Sequence, residues 1–293
     1  MPNAFLRNPS CRILIFKDNF CHVLRLHDAY HAEISIILEN ELLQRRYSSN
    51  NPETFRQAVR GDRLPNTDPE AQRIADIVDY ALSRVIARFL NQDYAKMEPI
   101  RKIVLKHTGQ TIDTLRQQFE EAMFFSTPPQ TAHKWCHTYL RPIELTISPL
   151  WQKIGIRRHS LAEALLYGHF AEIIFNAFKY ADHTADWFLR ITFREQEINK
   201  IQYLTICWEN PRNPTNQFDL GSKQGLAAIT EDLQQLNGST NPETTLYNET
   251  TEHSFKLYLH YQSDLLYAQS LPTINMGALL LAGKQTNSNP GDK

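Results

Sequence analysis

Cysteine is scarce in this chain: Cys11, Cys21, Cys136 and Cys207 are spread over 293 positions with no C-x-x-C pair. That excludes a disulfide framework and a cysteine zinc site, and it fits a reducing cytoplasm. A dominant charge of one sign is missing too. A formal net charge of −1 and a pI near 6.8 give no electrostatic case for nucleic acid or an anionic membrane surface. Long apolar runs are absent: a membrane helix needs roughly 20 apolar residues, and INMGALLLAG near the C-terminus is about half that. The N-terminal MPNAFLRNPSCRILIFKDN is broken by proline and charge and lacks the apolar core of a signal peptide. What is present suffices for a fold, since 42% hydrophobic and 11% aromatic residues can build one large core or two ordinary ones. A soluble, cytoplasmic protein is expected.

The first half reads as helices. Residues 22–47 carry an apolar stripe through Leu26, Tyr30, Ile34, Ile37 and Leu38. The polar stretch SSNNPETFRQAVRGDRLPNTDPE reads as a loop holding a helical turn. Residues 69–92 repeat apolar side chains every three to four positions, with Pro69 suited to a first turn and Asp68 to a cap before it. A further helical run covers 96–124, with an interruption near His107–Gly109. STPPQT at 126–131 then punctuates the chain and sets the expected boundary between a helical domain, 1–130, and a second domain, 131–264.

The second half alternates. Residues 138–149 suggest a strand region, and 160–181 a long helix capped by Ser160. ADWFLRITFRE (185–195) and IQYLTICWE (201–209) look like paired strands, rich in β-branched and aromatic residues. A Pro/Asn-rich loop leads into the helix LAAITEDLQQLN, stopped by Gly238, and TTLYN and HSFKLYLHY read as two more strands. From 265 to 293 the pattern fades and disorder is expected. Helices first, then a mixture of helix and strand, predicts an α+β chain in which an all-helical domain joins an α/β sandwich.

The stretch HFAEIIFNAFKYAD, 169–182, raises the functional question. On a helical wheel His169, Glu172, Asn176, Lys179 and His183 share one stripe, and apolar residues supply the rest. Asparagine is a poor helix former, yet a merely solvated polar face accounts for such a stripe as well as a binding site does. Context turns the balance: a helix with E-x-x-x-N, two strands, a loop with Gly221 and Gly225, a helix, Gly238 and two strands. His133 and His137, four apart beside Trp135 and Cys136, could present two metal ligands on a helix face, but no third lies nearby in sequence.

In that order the chain resembles the Bergerat-fold ATPases, and most closely the ATP-binding domain of bacterial histidine kinases. The helix motif there runs approximately E-L-L-x-N-A-x-K-H-A; here Glu172-Ile-Ile-Phe-Asn176-Ala-Phe-Lys179-Tyr180-Ala181 stands in its place. The likeness spans residues 155–262 and implies a Bergerat-type sandwich, a mixed sheet with helices on one face, that binds ATP and Mg²⁺. Glu172 and Asn176 lie one turn apart and can face the same triphosphate. Asn176 offers the neutral oxygen that a hard cation accepts, and Lys179 a point charge for phosphate. The resemblance makes Glu172 the residue that polarises or positions the reacting group. LGSKQGLAAI, 220–229, is similar to the end of the family's glycine-rich lid, approximately G-x-G-L-x-x-V. Gly225 lets the backbone approach phosphate, Leu226 follows it at the helix start, and Ser222 and Lys223 add contacts. Where the family has Asp-x-Gly, this chain has Glu209-Asn210-Pro211, and strand alternation puts Asn210 at the adenine-contacting position. An Asn oxygen can accept the adenine amino hydrogen, without charge assistance. The loop from Pro211 to Gln224 is short for an ATP lid.

Leu26-His27-Asp28-Ala-Tyr-His31 resembles the L-H-D-x-x-x-H start of the dimerisation helix in one histidine-kinase subgroup. That likeness implies His27 as phosphoacceptor, Asp28 as its base, a homodimer, and a response-regulator partner that receives the phosphoryl group. A histidine in a helix seam is the other reading of the same residues. The expected function is a cytosolic histidine-kinase-like signalling protein. The alternative is a catalytically reduced Bergerat-fold module, a phosphotransfer adaptor or protein-binding regulator without ATP turnover, for which the altered third motif and the short lid speak.

Overall fold

The computed structural model describes residues 51–91, 98–125, 131–140, 143–182, 185, 187–212 and 224–267. His27, Asp28, Ser222 and Lys223 lie outside the described residues, as do most of the expected lid and the tail beyond 267.

The first described element, α1 (Pro52–Gly61), occupies a stretch expected to be mostly loop. Asn51 caps it by accepting the Glu53 N–H, a proline fills its first turn, and Phe55 and Val59, one turn apart, give it a face to bury. Next come β1 (Arg63–Pro65) and β2 (Ala71–Arg73). Asp68 and Pro69 do not open a helix: the Asp68 side chain accepts the Glu70 N–H and bends the chain between these strands. Helix α2 (Ile74–Leu90) starts only after them. The expectation of an all-helical segment before residue 131 is thereby corrected, since β1 and β2 belong to it.

The chain continues through α3 (Glu98–Thr108) and α4 (Ile112–Phe125), parted by Gly109 at φ 67°, then α5 (Thr131–Tyr139), β3 (Ile143–Ile147) and β4 (Ile154–Arg157). The long helix α6 (Leu161–Tyr180) follows, then β5 (Leu189–Ile198), β6 (Ile201–Pro211), α7 (Gln224–Asn237), β7 (Leu246–Thr250), β8 (Ser254–Gln262) and the short α8 (Ser263–Leu266). The described residues form an α+β fold with two sheets. A mixed five-stranded sheet runs β3-β5-β6-β8-β7, parallel between β3 and β5 and antiparallel elsewhere. A small antiparallel sheet runs β1-β4-β2.

Alternation along the strands decides which face is buried. Leu189, Ile191 and Phe193 of β5, Leu204, Ile206 and Trp208 of β6, and Leu257, Leu259 and Tyr261 of β8 are all buried. Phe170 of α6 meets this face, with its ring 5.5 Å from Trp208 and 6.2 Å from Phe193. On its other side α6 is covered by α2, through Phe178 against Phe89 at 5.8 Å and Tyr167 against Tyr80 at 4.9 Å. A helix packed on two sides is apolar nearly all round, which explains why this one carries eleven buried residues. Each fully buried Phe or Leu there contributes about 1.5–3 kcal/mol.

Helix ends are tied by side chains from distant elements. At the start of α6 the Ser160 hydroxyl accepts the Glu163 N–H, and Asp62 accepts the Ala162 N–H at 3.1 Å. Asp79 of α2 accepts the Ala132 and His133 N–H groups at the start of α5. The last carbonyls of α2 are covered by two arginines: Arg101 donates to Phe89 and Asn91, and Arg116 to Leu90. Packing thus runs across residue 130, where the sequence suggests a boundary.

Candidate functional site

The polar stripe of α6 meets the first turn of α7. Glu172 and Asn176, one helical turn apart, are joined by a hydrogen bond in which Asn176 Nδ2 donates to Glu172 Oε1 at 3.3 Å. The carboxylate lies against Gly225, the second residue of α7: a Cβ added at Gly225 would stand 2.0 Å from Glu172 Oε1 and 2.4 Å from its Cδ. Only glycine leaves room, and a carboxylate at a helix N-terminus is favoured by the exposed amide dipoles. The two sequence motifs are therefore in direct contact. Leu226 is half-buried and packs on the core beside them.

Lys179, one turn beyond Asn176, is half-buried with its ammonium 4.8 Å from the centre of the Tyr180 ring. Asn210 is buried on the same face of β6 as Trp208. The end of α6 is pinned to the end of β6 by the bridge between Ala181 and Arg212 and by the Asp182 N–H, which donates to the Pro211 carbonyl at 2.9 Å. Asn210 thus sits at the end of the sheet served by the last turns of α6. Its side-chain N–H donates to the Pro211 carbonyl at 3.1 Å.

A histidine network sets the distance between the two helices. His169, one turn before Glu172, bonds through Nδ1 to the Tyr261 hydroxyl at 2.9 Å and through Nε2 to Asp232 at 3.1 Å. All three residues are buried. Burial, reinforced by the Asp232 charge, pushes the Tyr261 hydroxyl well above its ordinary pKa. Asp232 is two turns beyond Gly225, so this bridge and the Glu172–Gly225 contact are two fixed points that align α7 on α6. Sequence reading places His169 on the polar stripe of α6 without a partner; the signal it leaves aside is an aspartate on the face of α7 that also carries Gly225.

Beside Glu172, toward the N-terminal half of α6, opens a cleft of about 380 Å³ between α6 and α7, lined also by Phe55 of α1 and by Arg84 and Arg88 of α2. Glu172 and Gly225 form one end of it; Asn176, Lys179 and Asn210 do not line it. His133 and His137 do fall on a helix, α5, but no group of three His, Cys, Asp or Glu side chains suited to a metal ion occurs among the described residues. No helix among the described residues is long and apolar enough to cross a membrane.

A second buried polar group lies on the opposite face of the large sheet. His260 of β8 is fully buried, its Nδ1 2.9 Å from the Thr205 hydroxyl and its ring 5.5 Å from that of Tyr247. Burial, helped by the Arg194 charge, lowers its pKa to about 4.

No family model matches the chain, and no curated protein matches it by sequence. Among solved structures the chain is similar to the Acinetobacter baumannii histidine kinase AdeS, at 12% identity and a TM-score of 0.28, over 56% of this chain and 75% of that one.

Proposed function

We propose that this protein is a histidine-kinase-like signalling protein that binds Mg-ATP and passes the γ-phosphoryl group to a histidine, from which a response regulator receives it. The observation that supports this best is the meeting of the Glu172 carboxylate, the Asn176 amide and the Cα of Gly225 at the start of α7. The donor set suits magnesium, because the Asn176 amide gives its hydrogen to Glu172 and keeps its oxygen for a hard cation that retains waters. Magnesium there supplies charge neutralisation for the triphosphate. Gly225 lets the first amides of α7 approach phosphate, Lys179 adds a positive charge, and Asn210 meets the adenine edge. In this reading Ser222 and Lys223 add phosphate contacts. Phosphoryl transfer asks mainly for positioning and charge. In the transfer a ring nitrogen of His27 bonds to the γ-phosphorus as ADP leaves, and Asp28 holds the imidazole tautomer and takes its proton. A cytoplasmic homodimer, in which one protomer brings His27 to its partner's nucleotide, is part of the same reading.

One set of observations favours the second reading, a module without turnover. Asn210 offers the adenine edge only an uncharged oxygen, and the Glu172 carboxylate rests on the glycine that phosphate has to approach. Labelled ATP separates the two. The kinase reading expects an acid-labile, base-stable label that disappears in His27→Ala and in Asn176→Ala. Absence of label on the wild-type protein, with Mg²⁺ present, overturns it in favour of the module.

A further inference from the structure

We infer that the cleft between α6 and α7 binds a small zwitterion with an apolar body, the class of the amino acids with apolar side chains, with its ammonium on Glu172 and its carboxylate on Arg88. This goes beyond the nucleotide reading: the cleft shares Glu172 and Gly225 with that site but extends away from Asn176. A volume of about 380 Å³ falls within the range of small-molecule pockets.

The charged groups on the wall sort into two engaged and two available. Arg84 donates to the Tyr167 hydroxyl at 3.1 Å, Asp232 is bonded to His169 at 3.1 Å, and each has further partners, so neither is left for a ligand. Glu172 and Arg88 remain, one of each sign. Among the described residues Glu172 accepts one hydrogen bond, from Asn176 on Oε1; a neutral amide and a glycine leave its charge uncompensated, and Oε2 accepts nothing. Arg88 makes no hydrogen bond or ion pair with another described residue. Both side chains are half-buried, where an unpaired charge is costly and a ligand charge of opposite sign relieves the cost.

Their spacing suits one small ligand. α2 and α6 run in the same direction, since Tyr80 meets Tyr167 and Phe89 meets Phe178, and this puts Arg88 about one turn beyond Glu172 along the pair of helices. Helical side chains lean toward the N-terminus, which brings the guanidinium back toward the level of Glu172. The planar fork of Arg88 suits a carboxylate, and Oε2 of Glu172 suits an ammonium. Phe55, Leu161, Leu165 and Ile229 supply apolar surface from three helices for the rest of the ligand.

Gly168 is an independent sign of a site. It lies in the interior of the 20-residue helix α6 and lines the cleft. A glycine there weakens the helix, as alanine is the better helix former. Packing does not demand it, because an added Cβ would meet no atom within 4 Å. What the missing side chain provides is depth in the cleft.

Titration calorimetry of the full chain with leucine and with phenylalanine tests the inference. Isocaproate and isopentylamine serve as controls that keep an apolar body with one charge each, and glycine as the control that keeps both charges without the body. At least one of the two amino acids is expected to bind more tightly than all three controls. Arg88→Gln and Glu172→Gln should each weaken it about tenfold or more, and Gly168→Leu, which fills open space, should abolish it. Ala228→Trp, introduced at an exposed position on the wall, should do the same without touching the core. Lys179→Gln, outside the cleft, should leave it unchanged, although that variant loses a phosphate contact under the nucleotide reading, so the two ideas fail separately. The inference is overturned if neither amino acid binds, if any control binds as tightly, if either charge variant leaves binding unchanged, or if binding survives the cleft-filling variants.

Discussion

Replacing Gly225 by alanine puts a methyl group where the Glu172 carboxylate lies, so these two residues should be energetically coupled. The added Cβ would stand 2.0 Å from Oε1 and 2.4 Å from Cδ, far inside the ~3.5–4.0 Å at which non-bonded carbons rest. The obstacle is the end of a flexible side chain, so Glu172 can swing aside and give up its bond with Asn176. Losing that bond costs about 0.5–1.5 kcal/mol, and a strained rotamer adds about 1 kcal/mol. Against this, alanine in place of glycine in a helix gains about 1 kcal/mol. In the wild-type background Gly225→Ala should therefore destabilise by about 1 kcal/mol, while in a Glu172→Ala background it should stabilise by a similar amount. A double-mutant cycle measured by urea denaturation should give a coupling of roughly 2 kcal/mol. Additivity within about 0.5 kcal/mol would refute the reasoning, because it would mean that the carboxylate does not rest on the glycine.

Three further predictions concern the frame around this contact. Asn237 ends α7 and holds the Thr244 and His260 carbonyls and the Gln262 N–H. Asn237→Ala strands these three groups and should cost about 3 kcal/mol or more by urea denaturation, whereas a loss under about 1 kcal/mol contradicts it. Gly155 sits mid-sheet between β1 and β2, and its missing Cβ would fall 2.8–2.9 Å from the Leu64 and Pro65 carbonyls and Ala71 Cβ. Backbone cannot step aside as a side chain does, so Gly155→Ala should lower stability by about 1–3 kcal/mol, and an unchanged melting temperature contradicts this. His260, with its pKa lowered to about 4, refuses a proton that the unfolded chain takes up below about pH 6.5. Stability should therefore fall as the pH drops from about 6.5 to 4, by up to about 3 kcal/mol, and His260→Gln should flatten that slope; a slope that persists in the variant places it elsewhere.

The strands of the large sheet are legible because their side chains alternate: β5 and β6 appear where β-branched and aromatic residues cluster, and β8 where HSFKLYLHY does. Ser160 and Gly238, which bound the two helices of the site, are equally plain. The small sheet is not legible. Its outer strands are three residues long and show no alternation; they are strands only because β4, far along the chain, lies between them. Helix α1 escapes for a similar reason, since its polar run has two buried side chains and is fixed by Arg56 donating to the Gln235 carbonyl of α7. Within the site, Glu172, Asn176 and Gly225 can be read from motif order. The His169–Asp232–Tyr261 bridge cannot, because it joins α6, α7 and β8 and no local pattern announces it. Arg84 and Arg88 look like the solvated face of a helix until α2 is laid along α6.

The central claim, that one turn of α6 and the start of α7 hold a magnesium nucleotide, is tested most directly by thermal unfolding with and without Mg-ATP. Ligand at a hundred times its Kd stabilises the folded chain by about 2.7 kcal/mol, a rise in Tm of roughly 5 °C for a protein of this size. That rise should appear in the wild-type protein, shrink when EDTA removes the metal, and vanish in Asn176→Ala. No rise in the wild type, or an equal rise in Asn176→Ala, would contradict the claim.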